Sequence, residues 1–165
     1  MQISDVDKYT YQWSSFELID IHHQSFWIFD LEATGIDFSI ERVTQFGGVV
    51  FDSDSLETST TFNQLANPFR PIPDSIVKMT GITNHIVSNA PSFEEIFPKF
   101  VNQAGNRIWV TQAGYEFDYP ILFQECKRFD IKFPKVKILD TKALFPFMYP
   151  GIEAIFNTDF FSKFL

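Results

Sequence analysis

The chain has 165 residues, 45% of them hydrophobic and 21 of them Phe, which is enough for one domain with a substantial core. One cysteine, Cys126, excludes an intramolecular disulfide and a cysteine-rich zinc centre; no apolar run reaches the roughly 18 residues of a membrane span, and residues 1–25 lack the basic start and apolar centre of a signal peptide, so a soluble, cytoplasmic protein is expected. The formal charge of −8 excludes a broadly basic surface, but residues 1–60 hold eleven acidic side chains against Lys8 and Arg42, whereas Lys127, Arg128, Lys132, Lys135, Lys137 and Lys142 make a basic run that is either a modest patch or a solvated surface.

Residues 1–25 read as a polar arm or short strand, with Trp13 and Phe16 as the residues to pack on the body and with His22 and His23 solvated. Three strands follow, Phe26–Leu31, Val43–Phe51 and Thr58–Leu65, joined by short breaks into an antiparallel meander. The Gly47-Gly48 pair in the second implies a bulge or a close backbone approach. After the proline-bounded loop from Asn67 to Pro73 comes a short helix, Asp74–Met79, with Asp74 as its cap and Gly81 at its left-handed end. His85 falls in a turn and is expected to be structural. The clearest helix is Ser92–Ala104, where Ser92 and Glu95 make a capping box and Phe93, Ile96, Phe97, Phe100 and Val101 share one face. A strand at Arg107–Thr111 and a helix at Asp118–Phe129 complete the pattern, the helix turning Ile121, Leu122, Glu125, Cys126 and Phe129 toward its inner stripe.

The first strand runs into Asp30-Leu31-Glu32-Ala33-Thr34-Gly35. Alternate side chains of a strand share a face, so the Asp30 and Glu32 carboxylates point the same way, about 6–7 Å apart along the backbone. Two poorly solvated like charges repel unless a cation offsets them, and a hard divalent ion does so. Asp-x-Glu alone is better served by a turn cap at Asp30 and a solvated Glu32. Asp118, at a helix start, is by itself a plain N-terminal anion.

Phe-Asp-Leu-Glu-Ala-Thr-Gly resembles the first motif of the DEDD (DnaQ-like) 3′-5′ exonucleases, and further segments match in family order: Arg42–Asp52, Asn67–Thr83, Val110–Leu122 around Phe117-Asp118, and Leu139-Asp140-Thr141. The resemblance covers Phe26 to about Phe145. It implies an α/β, RNase H-like fold: a five-stranded mixed sheet with helices on both faces, spanning residues 26–165. It also implies a catalytic and metal-binding set of Asp30, Glu32 and Asp118, taking Mg²⁺ or Mn²⁺, two ions in the intact family site. Thr34, Gly35, Met79 and Phe117 would contact substrate, the 3′ end of single-stranded nucleic acid, with Met79 either against a base or in the core. Ala113-Gly114-Tyr115-Glu116-Phe117-Asp118 replaces the usual His-Asn-Ala lead-in, a variant closer to the RNA-trimming ERI-type and KapD-like branch of the histidine subclass than to proofreading subunits.

That subclass completes its site with His-x-x-x-x-Asp, the His acting as general base. No His follows His85 here, and Asp159, the only Asp after Asp140, lacks the spacing; Thr158–Leu165 resembles the helix before that motif. The expectation is a domain cut short of its last motif and impaired in hydrolysis. The competing reading is a non-catalytic binding or regulatory module.

Overall fold

The structure, a computed structural model, describes residues 2–4, 12–15 and 20–149. The side chain of Trp13, together with Phe16, Asp159 and the Thr158–Leu165 stretch, lies outside the described residues. Strands β1 (Gln2–Ser4) and β2 (Gln12–Ser15) pair antiparallel as a separate two-stranded sheet. The main sheet holds β3 (Ser25–Ala33), β4 (Val43–Asp52), β5 (Glu57–Leu65), β6 (Ile108–Thr111) and β7 (Ile138–Asp140) in the order β5-β4-β3-β6-β7. β3 sits in the middle, antiparallel to β4 and parallel to β6, so the sheet is mixed, as expected. Helices α1 (Asp74–Thr80), α2 (Asn84–Val87), α3 (Phe93–Ala104), α4 (Asp118–Arg128) and α5 (Thr141–Met148) connect and cover it, and no helix of the described residues is long and apolar enough to cross a membrane.

The two-residue alternation of β3 sorts its side chains. Trp27, Phe29, Leu31 and Ala33 are buried and join Ile96, Phe97 and Phe100 of α3 and Ile121, Leu122 and Cys126 of α4 in the main core. Phe100 is the hub, its ring centroid lying 5.2 Å from Phe46, 5.3 Å from both Trp27 and Trp109, and 5.6 Å from Phe29. On the opposite face Phe26, Val110 and Leu139 form a smaller cluster covered by Leu144 of α5. Further along that same face of β3 stand Asp30 and Glu32.

The predicted strands and long helices lie where the patterns put them, with ends differing by a residue or two. α3 starts with the capping box: Glu95 Oε2 accepts the Ser92 N–H at 2.8 Å and its hydroxyl at 3.0 Å. Asp74 is not a cap. It is the first residue of α1, and the N-cap is Pro73, whose fixed φ of −60° already suits a helix entry. α5 was not anticipated as a separate helix, because Pro146 interrupts its short apolar run.

Of the two readings of the glycine pair, the close approach is the one realised. A Cβ at Gly48 would lie 2.3 Å from Trp27 Cζ2, and the register irregularities fall elsewhere, at Glu32/Ala33 and Val49/Val50. Gly48→Ala must therefore displace a fully buried indole. A loss of about 1–3 kcal/mol is expected in a urea melt, with no loss predicted for Gly47→Ala, where the added Cβ meets only a carbonyl oxygen at 3.5 Å. Equal midpoints for the two variants would contradict this packing.

Candidate active site

Asp30 and Glu32 emerge near the C-terminal end of β3 on the face that α3 and α4 leave open. Solvent reaches Asp30, yet protein surrounds enough of it that burial raises its carboxyl above the usual range, against a backbone hydrogen bond from Leu31. Glu32 is half-buried and is raised by burial first and by the Asp30 charge second. Neither forms an ion pair among the described residues.

The third carboxylate arrives from the other side of β3. β6 runs parallel to β3 with Ile28 opposite Val110, so Thr111 sits level with the residue before Asp30. The Thr111 hydroxyl donates to Asp118 Oδ2 at 2.5 Å, which fixes the start of α4 beside β3. Asp118 is 4% exposed, and its carboxyl is pushed up to about 7, by burial first and then by the charges of Asp30, Asp140 and Glu32; the Thr111 hydrogen bond opposes this only in part. The three acidic groups thus share one electrostatic environment although some 88 residues separate Asp30 from Asp118.

Asp140 holds that arrangement. It ends β7 level with Thr111, is fully buried, and accepts the backbone N–H groups of Ala113 at 3.0 Å, Tyr115 at 3.2 Å and Lys142 at 2.9 Å. One side chain therefore ties down the loop leading to Asp118 and caps α5. Burial raises its carboxyl, and these N–H bonds pull the other way. The motif match had singled out Leu139-Asp140-Thr141 without a role for the aspartate; acceptors for chain 25 or more residues away leave no local mark.

Thr34 and Gly35 both serve the turn that follows Glu32. Thr34 is fully buried, its hydroxyl donating to Glu41 and accepting the Arg42 N–H at 3.0 Å, so the side chain braces the turn and does not face an open cleft. Gly35 leaves room for the Glu41 carboxylate, which a Cβ would approach to 2.9 Å. Arg70 Nη1 lies 3.3 Å from the same carboxylate. The loop is then bolted to α4: Arg42 Nε donates to the buried Glu125 Oε1 at 2.6 Å, Arg128 Nη1 lies 3.2 Å from that oxygen, and Arg128 also donates to the Ser39 and Glu41 carbonyls. Glu125 Oε2 has no partner among the described residues.

Met79 is 71% exposed, which removes the core reading for it, while Phe117 is half-buried and packs against the main core. His85 lies exposed on the four-residue α2. His23 pairs with Asp54 at 2.6 Å, before the start of β3 and about 20 Å along the strand from Asp30. In the basic run, Lys142 pairs with Glu116 at 2.6 Å and Arg128 is committed to the loop; the exposed Lys132, Lys135 and Lys137 precede β7, at the end of that strand opposite Asp140. Cys126 is buried in the core, where burial pushes its thiol up to about 12.

The donor chemistry of Asp30, Glu32 and Asp118 fits a hard divalent cation: all oxygen, anionic, and uncompensated by any basic side chain among the described residues. As they stand, no three His, Cys, Asp or Glu side chains among the described residues are placed to hold a metal ion together.

A mixed five-stranded sheet with an acidic cluster on the open face at the end of its middle strand defines a nuclease-type domain. Residues 27–158 match the RNase_T exonuclease family, and the chain belongs to it. It is 30% identical over 128 residues to the 3′-5′ exonuclease DinG of Staphylococcus haemolyticus, covering 78% of this chain and 14% of that protein. To the PolC-type DNA polymerase III of Bacillus cereus it is 27% identical over 130 residues, covering 79% of this chain and 9% of the polymerase. The chain therefore spans only a small part of these relatives. Its fold is that of the solved nuclease domain of 3′hExo, a DEDDh family member bound to rAMP, with a TM-score of 0.69 at 21% identity over 79% of this chain and 73% of that one. The RNase H-like fold implied by the motifs is the fold observed.

Proposed function

We propose that this domain removes nucleotides from the 3′ end of single-stranded nucleic acid by metal-dependent hydrolysis, with Asp30, Glu32 and Asp118 holding Mg²⁺ or Mn²⁺. The observation that carries the reading is the acidic trio itself: three carboxyls raised by burial, Glu32 and Asp118 also by neighbouring carboxylate charge, with no ion-pair partner among the described residues. Asp30, Glu32 and Asp118 would hold a divalent ion that, when bound, would supply that charge and polarise the phosphate and the attacking water. The protein's share is to hold the ligands: Thr111 and Asp140 set Asp118, and the Thr34–Glu41–Arg42–Glu125 chain fixes the turn after Glu32. A domain that grips only a strand end needs few phosphate contacts, which accommodates the net charge of −8.

A second reading, a binding module with little catalysis, is favoured by one fact: among the described residues no three His, Cys, Asp or Glu side chains are placed to hold a metal ion. The two separate in one assay of mononucleotide release from a labelled single strand with Mn²⁺. The 165-residue chain is expected to release little, an extension through a His-x-x-x-x-Asp segment to release about 10²- to 10⁴-fold more, and Asp30→Asn to abolish release in both. Release that survives Asp30→Asn would overturn the metal site. Robust release by the short chain, lost in Asp30→Asn, would show that the site needs no further base.

A further inference from the structure

Lys142 stands at the carboxylate end of the sheet with donor capacity to spare. It is the second residue of α5, and one oxygen, Asp140 Oδ1, accepts both its backbone N–H at 2.9 Å and that of Ala113 at 3.0 Å. Thr141, one residue earlier, donates to the Thr111 carbonyl at 3.3 Å. The start of α5 is thereby tied to the same strand and loop that present Asp118. From this frame the Lys142 side chain reaches across to Glu116, Nζ to Oε1 at 2.6 Å. Glu116 precedes Asp118 by two residues, so their Cα atoms lie less than about 7.6 Å apart. The ammonium is held over the loop that leads into the acidic site.

The arginines around the turn after Glu32 are spent: Arg42 and Arg128 on Glu125, Arg70 on the Ile40 carbonyl and Glu41. An ammonium has three N–H donors and Glu116 takes one, which leaves two for an acceptor arriving from solvent. The pair is open to one, with 36% of the Lys142 side chain and 44% of the Glu116 side chain exposed. The acidic site itself creates the need. In the function proposed above the metal serves the scissile phosphate, while the next phosphate toward the 5′ end comes within a Debye length of Asp30, Glu32, Asp118 and Asp140 with no ion of its own. Resting on that function, we infer that Lys142 contacts this next phosphate, with Glu116 aiming the ammonium, so that the domain senses the charge of the linkage before the one it cuts.

The test is fluorescence anisotropy with Mn²⁺ and the 165-residue chain, using short single strands whose last linkage is non-hydrolysable. One strand is otherwise natural and fully charged. A second carries an uncharged methylphosphonate at the next-to-last linkage, and a third carries it near the 5′ end. At about 0.1 M salt the wild type is expected to bind the second strand about fivefold more weakly than the first, the counterion release of one single-strand phosphate, and to bind the third like the first. Lys142→Gln is expected to bind all three alike and to flatten the slope of log affinity against log salt by about 0.7. Its exposed side chain adds little to stability, and the backbone N–H that Asp140 accepts is left in place. Lys142→Arg, which keeps the charge, and Lys137→Gln, the same charge change at the far end of β7, are both expected to keep the discrimination. A wild type blind to the neutral next-to-last linkage, an equal loss with the third strand, discrimination that survives Lys142→Gln, or its loss in Lys137→Gln overturns this inference alone. Absence of metal-dependent binding to the fully charged strand overturns the proposed function and this inference with it.

Discussion

Asp118→Asn is expected to make the metal-free protein more stable at pH 8 while abolishing its response to Mn²⁺. Asp118 is held at about 7 in the folded protein, whereas an unfolded aspartate titrates near 4. Below pH 4 the group is protonated in both states and imposes no penalty. Between the two values the folded state keeps a proton that the unfolded chain has released, so stability falls as pH rises and the full cost is reached above pH 7. That cost is on the order of 4 kcal/mol, or roughly 8–16 °C in Tm for a chain of this size. In EDTA the wild-type Tm should decline from pH 5 to pH 8 and the asparagine variant should decline much less, the remainder coming from Asp30, Glu32 and Asp140, which are displaced in the same direction. Saturating Mn²⁺ should reverse the ranking at pH 8. Parallel pH profiles for the two proteins would mean that Asp118 does not carry the burden assigned to it.

The second large effect concerns the bolt between the loop and α4. Glu125 is fully buried, and Arg42 at 2.6 Å is its closer cation, with Arg128 at 3.2 Å. Removing one partner of a buried pair strands the other charge, so Arg42→Met is expected to cost about 3 kcal/mol, near the low end for such lesions because Arg128 remains. Replacing both, as Arg42→Met/Glu125→Met, should recover most of the loss, since an apolar pair of similar volume needs no compensation. Urea melts of the two single variants and the double form the cycle. A double variant as unstable as the sum of the singles would show that the pair is not coupled. Because the same loop carries Thr34 and follows Glu32 directly, Arg42→Met is also expected to weaken Mn²⁺ binding.

What could be read from the chain and what could not divides by the range of the interaction. The apolar, strand-type run of Phe26–Leu31, the capping box of Ser92 and Glu95, and the i, i+3, i+4 face of α3 are local patterns, and each produced the element it implied. Glu125 was legible as a residue on the inner stripe of α4, but its partner Arg42 stands 83 residues earlier, and nothing in either neighbourhood marks the pairing. Thr34 shows the same limit from the other side. Its place in Asp-x-Glu-x-Thr-Gly suggested contact with substrate, whereas Glu41 and Arg42, brought back by the loop, claim its hydroxyl. The Gly47-Gly48 pair was readable as a close approach or a bulge, and only the packed Trp27 ring decides between them. The acidic residues of the site could be named from their motif order, but their raised carboxyls follow from burial and mutual charge that only the folded sheet creates.

The central claim is that Asp30, Glu32 and Asp118 act together as a divalent-cation site at the end of β3. Titration of Mn²⁺ followed by electron paramagnetic resonance, with and without a nucleoside 5′-monophosphate, tests it most directly. Mg²⁺-like ions give up their waters reluctantly and an under-liganded set offsets that cost poorly, so binding to the protein alone should be weak, should tighten when the monophosphate adds its oxygens, and should vanish in Asp30→Asn. A Mn²⁺ titration unchanged by Asp30→Asn would contradict the account.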